Sequence, residues 1–207
     1  MNIQRVRLLL SFVGVLFIGL AIGLSRAANL GTDPFTTFNV GLSHFFGIQF
    51  GTYMILTNIV GLILMFYTAR NLIYIGTFMS IILVGYISDF VVSILFHQFG
   101  NLESLLIRGV LGALGIVLLA FGASLYIVAA QGIAPYDALP VIVESRSKGR
   151  ISFQTARIVS DIVCITVGFL FGATVGVITV ISGFFMGPLM QFFRTRFTNT
   201  LQSYVKK

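Results

Sequence analysis

Leu24-Ser25-Arg26-Ala27-Ala28-Asn29-Leu30-Gly31-Thr32-Asp33-Pro34-Phe35 closes the first long apolar run of the chain. Leu125-Tyr126-Ile127-Val128-Ala129-Ala130-Gln131-Gly132-Ile133-Ala134-Pro135-Tyr136 closes the fourth. Leu24, Ala28, Gly31 and Pro34 recur 101 positions later as Leu125, Ala129, Gly132 and Pro135. Thr77, Ser80, Gly85 and Phe90 recur 102 positions later as Thr179, Ser182, Gly187 and Phe192. Two sets of matches at nearly one offset read as a duplication.

The runs around these motifs are long enough to cross a bilayer, which takes about 20 mostly apolar residues. Six are expected, at 8–28, 52–69, 72–97, 105–130, 154–172 and 174–194. They divide into a three-helix unit over 1–100 and a second over 101–207. An odd number of spans per unit makes the second unit enter from the opposite face. The expected fold is therefore an all-α membrane protein of six transmembrane helices, built as two inverted-topology repeats. Many secondary transporters are built so, with the site at the repeat interface.

Composition excludes the alternatives. Apolar residues are 57% of the 207 and charged residues 9%, with a mean hydropathy of +1.01. A soluble domain of this size could not hide that much apolar surface, and disordered chains are polar. One cysteine, Cys164, excludes a disulfide scaffold. With no Trp, Tyr and Phe must supply any aromatic belt. The net charge of +7 does not mark a nucleic-acid binder, because the thirteen Lys and Arg flank apolar runs. The first run follows Arg5 and Arg7 as a signal peptide would, but it is too long for one, so it is expected to be retained.

Charge sets the expected orientation. Arg5, Arg7, Arg70, Arg146, Lys148, Arg150, Arg157, Arg194, Arg196, Lys206 and Lys207 fall on one side, and only Arg26 and Arg108 on the other. Both termini are then expected in the cytoplasm.

Two short segments join the spans. Asp33-Pro34 is a helix start, the Asp accepting from free N–H groups and the Pro fitting the first turn. Phe35, Phe38, Leu42 and Phe45 share one face of that helix; Thr36, Thr37, Asn39 and Ser43 take the other. Gly47 and Gly51 are expected to turn the chain. Pro135-Tyr136-Asp137 begins the matching helix, with its acid in the first turn, at the positive dipole end. Both helices are too short to span. They are either re-entrant or lie flat at the interface. Gly31 and Gly132 read as positive-φ turns.

Leu30-Gly31-Thr32-Asp33-Pro34-Phe35, Gly51-Thr52, and Ile75-Gly76-Thr77 followed by Gly85 and Asp89 resemble the YczE/YyaS/YitT-like bacterial membrane proteins. The resemblance covers most of the chain and is strongest over 19–90. The family's usual aromatic after the proline is Trp, where Phe35 and Tyr136 stand here. It implies a bacterial cytoplasmic-membrane protein, with transport the suspected activity.

Ionisable groups at membrane depth are costly and call for a role. Asp89 is the candidate for ion or proton coupling, a carboxyl whose burial would favour its protonated form; its repeat counterpart is Gln191. The alternative is a plain ion pair with Arg26 or Arg108. Arg157 and Asp161, four apart, form an expected structural pair. Arg26 is placed either to attract an anionic solute or to pair with Asp33. The candidate solute site comprises Gly31, Thr32, Asp33, Phe35, Asn58, Asp89, Gly132, Tyr136 and Asp137. Gly19/Gly23, Gly168/Gly172 and Gly183/Gly187 read as close-packing pairs, and Gly76 and Pro188 as bending points. His44 and His97 are too isolated for a metal site. No catalytic set or cofactor motif is present.

The expected function is a secondary transporter or permease for a small organic solute, an amphipathic one included, rather than an enzyme. The alternatives are a non-transporting assembly or regulatory partner, docking through the basic 144–150 loop, and a substrate-binding subunit of an ATP-driven uptake system. Expected partners are the lipid bilayer and the solute, with a homo-oligomer or a membrane partner left open.

Overall fold

The computed structural model describes residues 3–100 and 102–205. Lys206 and Lys207, part of the charge bias above, lie outside them. The described residues form eight α-helices: α1 (Ile3–Ala28), α2 (Pro34–Phe46), α3 (Phe50–Thr68), α4 (Ile75–Phe99), α5 (Leu105–Ala129), α6 (Pro135–Arg146), α7 (Phe153–Leu170) and α8 (Val177–Val205). Six of them (α1, α3, α4, α5, α7 and α8) are long and apolar enough to cross a membrane. The chain is an all-helical, multi-pass membrane protein.

Local chemistry sets most boundaries. Asp33 caps α2 by accepting from Thr36 N at 3.1 Å, and Pro34 occupies its first turn. Gly47, at φ 63°, ends α2 and sends its N–H back to His44 O. Ser104 and Ser152 cap α5 and α7. Arg108 reaches from α5 to the end of α1, donating to the carbonyls of Ala28 at 2.7 Å and Asn29 at 2.6 Å. Those are groups a helix end leaves unpaired. The expected last span ran to 194, but α8 continues through Pro188 to Val205. Good helix formers such as Arg194, Arg196 and Gln202 carry it on past the apolar stretch.

Lipid tails are as apolar as the helices, so close backbone packing rather than hydrophobicity holds the helices together. A Cβ added at Gly14 would meet Gly122 O and Tyr126 N at 2.8 Å; one at Gly115 would meet Ser25 Oγ and Ala21 O. These contacts set α1 antiparallel to α5. Gly19 packs on Ile87 and Gly23 on Val91, which sets α1 parallel to α4. Gly112 packs on Ile178, and Ser124 donates to Met190 O at 3.0 Å, which sets α5 parallel to α8. Val15, Ile22, Phe50, Met54, Val84 and Tyr126 form the apolar centre.

The loops before α2 and α6 are pinned to the starts of other helices. Ile178 N donates to Leu30 O at 3.1 Å, and Gly76 N to Gln131 O at 2.7 Å. Gly31 (φ 97°) lies against Thr179, and Gly132 (φ 112°) against Thr77. A side chain at either glycine would be strained and would also collide. Past these anchors both chains turn back toward half height. Pro135 packs on Gly61, near the middle of α3, and Phe35 stacks on Tyr136 with ring centres 4.5 Å apart. The helices that feed these two rings end far apart: Ala28 lies beside Gly112, about 25 Å of helix from Ala129.

Several expected details change. The direction of α2, which the sequence left open, is also settled: Thr36, Thr37, Asn39 and Ser43 are buried along with Leu42, while Phe45 is 63% exposed. Gly51 does not turn the chain; it lies within α3, packed on Gly85. Gly76 is no bend but the second residue of α4, tight against Gln131 and Ser11. Gly183 and Gly187 pack on nothing within 4 Å.

Candidate functional site

Two polar centres stand among the helices, the first nearly closed and the second part-exposed, with the Asp137 side chain 46% exposed. The first joins α1, α3 and α4. Arg26 Nη1 lies 2.7 Å from Asp89 Oδ1 and 2.8 Å from Ser88 Oγ, with its guanidinium 3.7 Å above the Phe50 ring. Gly51 N donates to Asp89 Oδ2 at 2.7 Å. Both oxygens of the acid are therefore taken. The side chains are only 15% and 14% exposed. Of the two cations open to Asp89 from sequence, Arg26 is the partner, and Arg108 is engaged at the end of α1. Arg26 pairs with Asp89 and not with Asp33. Gly51 and Phe50 were not anticipated; their signal was a glycine at the head of a span, where backbone approaches closely.

The second centre sits where the first turns of α2 and α6 meet the middle of α7. Arg157 Nη1 lies 2.6 Å from Asp137 Oδ1, and its Nε 3.3 Å from Asp161. The Tyr136 hydroxyl donates to Asp161. The Arg157 guanidinium lies 4.7 Å from the Tyr136 ring centre, and the other face of the centre carries the Phe35–Tyr136 stack. Asp33 feels the fields of Arg157 and Asp161. Three carboxylates, one guanidinium and two rings thus share one locality, a combination suited to a polar or charged group attached to an apolar body.

The expected site residues are distributed as follows. Asp33, Phe35, Tyr136 and Asp137 come together at the second centre. Asp89 stands in the first. Gly31 and Thr32 rest on the start of α8, with Thr32 N donating to Thr179 Oγ1 at 3.2 Å. Gly132 rests on the start of α4. Asn58 is buried in α3 and donates back to Met54 O at 2.8 Å. Arg157 and Asp161, expected as a structural pair, extend to Asp137 and Tyr136. The sequence carried no sign of that link, because α6 and α7 meet only in the fold. Asn39 Oδ1 and Thr36 Oγ1 are buried without a hydrogen-bond partner.

The chain matches, over residues 5–195, the family described as "Family of unknown function (DUF6198)". It is 27% identical over 188 residues to "Uncharacterized protein YyaS" of Bacillus subtilis (strain 168), covering 87% of this chain and 89% of the relative. It is 23% identical over 185 residues to "Uncharacterized membrane protein YczE" of the same organism, covering 87% and 82%. An uncharacterized protein of Haemophilus influenzae is 27% identical over 178 residues, covering 85% and 78%. No solved structure matches. The Gly31–Phe35 and Gly132–Asp137 segments that build the second centre both lie inside the matched range, and by that match this chain belongs to the DUF6198 family of YyaS- and YczE-like membrane proteins.

Proposed function

We propose that the chain is a secondary transporter or permease for a small organic solute, made of two inverted three-helix units, with its site at the second centre. The observation that carries this is the Phe35–Tyr136 stack. Its rings occupy matching positions, and each opens a half-helix that begins at mid-height. Helix N-termini converging on the midplane are a recurring device of transporters.

Reciprocal contacts support the inverted pairing. Gly14 on Gly122 and Tyr126 is matched by Gly115 on Ala21 and Ser25, each residue shifted by 101. Gly31 on Thr179 is matched by Gly132 on Thr77, and the Leu30–Ile178 bond by the Gln131–Gly76 bond. Met65 beside Ala138 and Ile142 is matched by Gly168 beside Thr37 and Gly41. The chemistry is not symmetric. Where the second unit has Arg157, Asp161, Tyr136 and Asp137, the first has Met54, Asn58, Phe35 and Thr36. Most of the charge that would select a solute therefore comes from the second unit; the first adds Asp33, where the second has Ala134. Asp89, occupied by Arg26 and Gly51, serves in this reading as a latch between α1, α3 and α4.

Membrane-impermeant thiol reagents test the proposal in a Cys164→Ser background. Gln49→Cys and Arg150→Cys, both exposed, are expected to label from opposite sides of a bacterial cytoplasmic membrane, Arg150→Cys from the cytoplasm. Asp137→Cys is expected to label in the native protein through a water path. Labelling of both loops from one side would end the inverted pairing. An Asp137→Cys that reacts only after denaturation would end the transport site.

A further inference from the structure

A groove of about 420 Å³ opens where the start of α1, the end of α5 and the last turns of α8 converge, away from both polar centres. Arg7, Arg194, Thr198 and Gln202 supply its polar lining, and Val128 and Leu201 part of its apolar wall. Two guanidiniums, a hydroxyl and an amide all present donors, and no carboxylate lines it. All six acids of the chain are placed elsewhere. Asp89 holds Arg26, Asp137 and Asp161 hold Arg157, Asp33 caps α2, Glu144 accepts from Phe153 N, and Glu103 precedes α5 at the far end.

Neither Arg7 nor Arg194 enters an ion pair among the described residues. Arg7 Nε is also buried, with no hydrogen-bond partner among the described residues. A desolvated guanidinium donor left unpaired is costly. Two guanidiniums with no carboxylate beside them favour an anionic acceptor, and guanidinium pairs suit phosphate oxygens in particular.

The height of the groove identifies the source. Ile178 packs on Gly112, and equal lengths of helix onward bring Arg194 level with Val128, at the end of the α5 span. That is the depth of a lipid headgroup, with Ile127 and Val128 as the apolar wall at that level. Basic pockets between transmembrane helices at this level bind anionic phospholipids.

We infer that the α1–α5–α8 groove binds the phosphate of an anionic phospholipid through Arg7 and Arg194, with Thr198 and Gln202 as further donors. The inference does not depend on the identity of any solute. It ties α8, which enters no ion pair among the described residues, to the rest of the bundle.

The test uses the full chain in nanodiscs of phosphatidylcholine containing a minority of phosphatidylglycerol. Lipid retained by the protein is counted by native mass spectrometry. The wild type is expected to retain phosphatidylglycerol preferentially, and Arg7→Gln/Arg194→Gln to lose that preference about 30-fold. Arg196→Gln, whose guanidinium lies over Phe192 outside the groove, is expected to keep it. Inorganic phosphate added to the wild type is expected not to displace the lipid. A second measurement needs no variant: phosphatidylglycerol should raise the melting temperature of the wild type and phosphatidylcholine should not, with the difference shrinking at high salt. Equal retention by the double variant, absence of a lipid-specific melting shift, or displacement by inorganic phosphate would each overturn the assignment.

Discussion

Asp89→Leu is expected to destabilise the protein by about 3–5 kcal/mol, because it strands the Arg26 guanidinium in a nearly closed seam. Arg26 would keep its bond to Ser88 and its place over Phe50, but no neighbouring carboxylate could neutralise it. Gly51 N would lose its acceptor as well. The double variant Arg26→Met/Asp89→Leu removes both charges while keeping bulk, and is expected to recover most of the loss. The measurement is the fraction of protein remaining monodisperse after graded heating in detergent. A single variant as stable as the wild type would show that the pair does not hold α1 to α3 and α4.

Gly41→Val is the second large effect. α2 and α7 make their closest approach here: a Cβ at Gly41 would stand 2.3 Å from Gly168 O, and one at Gly168 would stand 2.4 Å from Thr37 O. Both obstacles are backbone, so no side-chain rotation relieves them, and α7 must move away. Overpacking a tight contact costs about 1–3 kcal/mol, and the upper end applies where the obstacle cannot yield. The consequence reaches the second centre, since α7 carries Arg157 and Asp161 to Asp137 and Tyr136. Gly183→Val is the control, because a Cβ there meets nothing within 4 Å. Its stability is expected to match the wild type. Equal behaviour of the two variants would remove the argument that backbone contact places α7.

Much of the fold was legible because it rests on local or periodic rules. The six long helices follow from run length, and Asp33-Pro34 and Gly47 mark the ends of α2 through capping chemistry that needs no distant partner. Gly31 and Gly132 were readable as positive-φ turns for the same reason. The inward-facing polar side of α2 was not legible. In water an apolar stripe marks the buried side of a helix, whereas in lipid either side can face outward, so the pattern of Phe35, Phe38, Leu42 and Phe45 does not fix direction. The glycine pairs were equally mute. Gly19/Gly23 and Gly183/Gly187 have one spacing, yet only the first pair lies against a neighbouring helix.

The candidate site divides along the same line. That Asp89, Tyr136, Asp137, Arg157 and Asp161 are costly groups in an apolar chain could be read from their types and positions. Which of them meet could not. Arg26 and Asp89 are 63 residues apart, and Tyr136 and Asp161 are 25 apart. The sequence by itself determined the number of helices, where the short ones begin, and which residues are expensive to bury, since each follows from a residue and its near neighbours. Only the tertiary structure decided that α2 and α6 start at mid-height, that Phe35 lies on Tyr136, and that Arg26 rather than Arg108 holds Asp89. Those outcomes depend on how closely particular backbones approach across the bundle, a quantity that spacing along one chain does not encode.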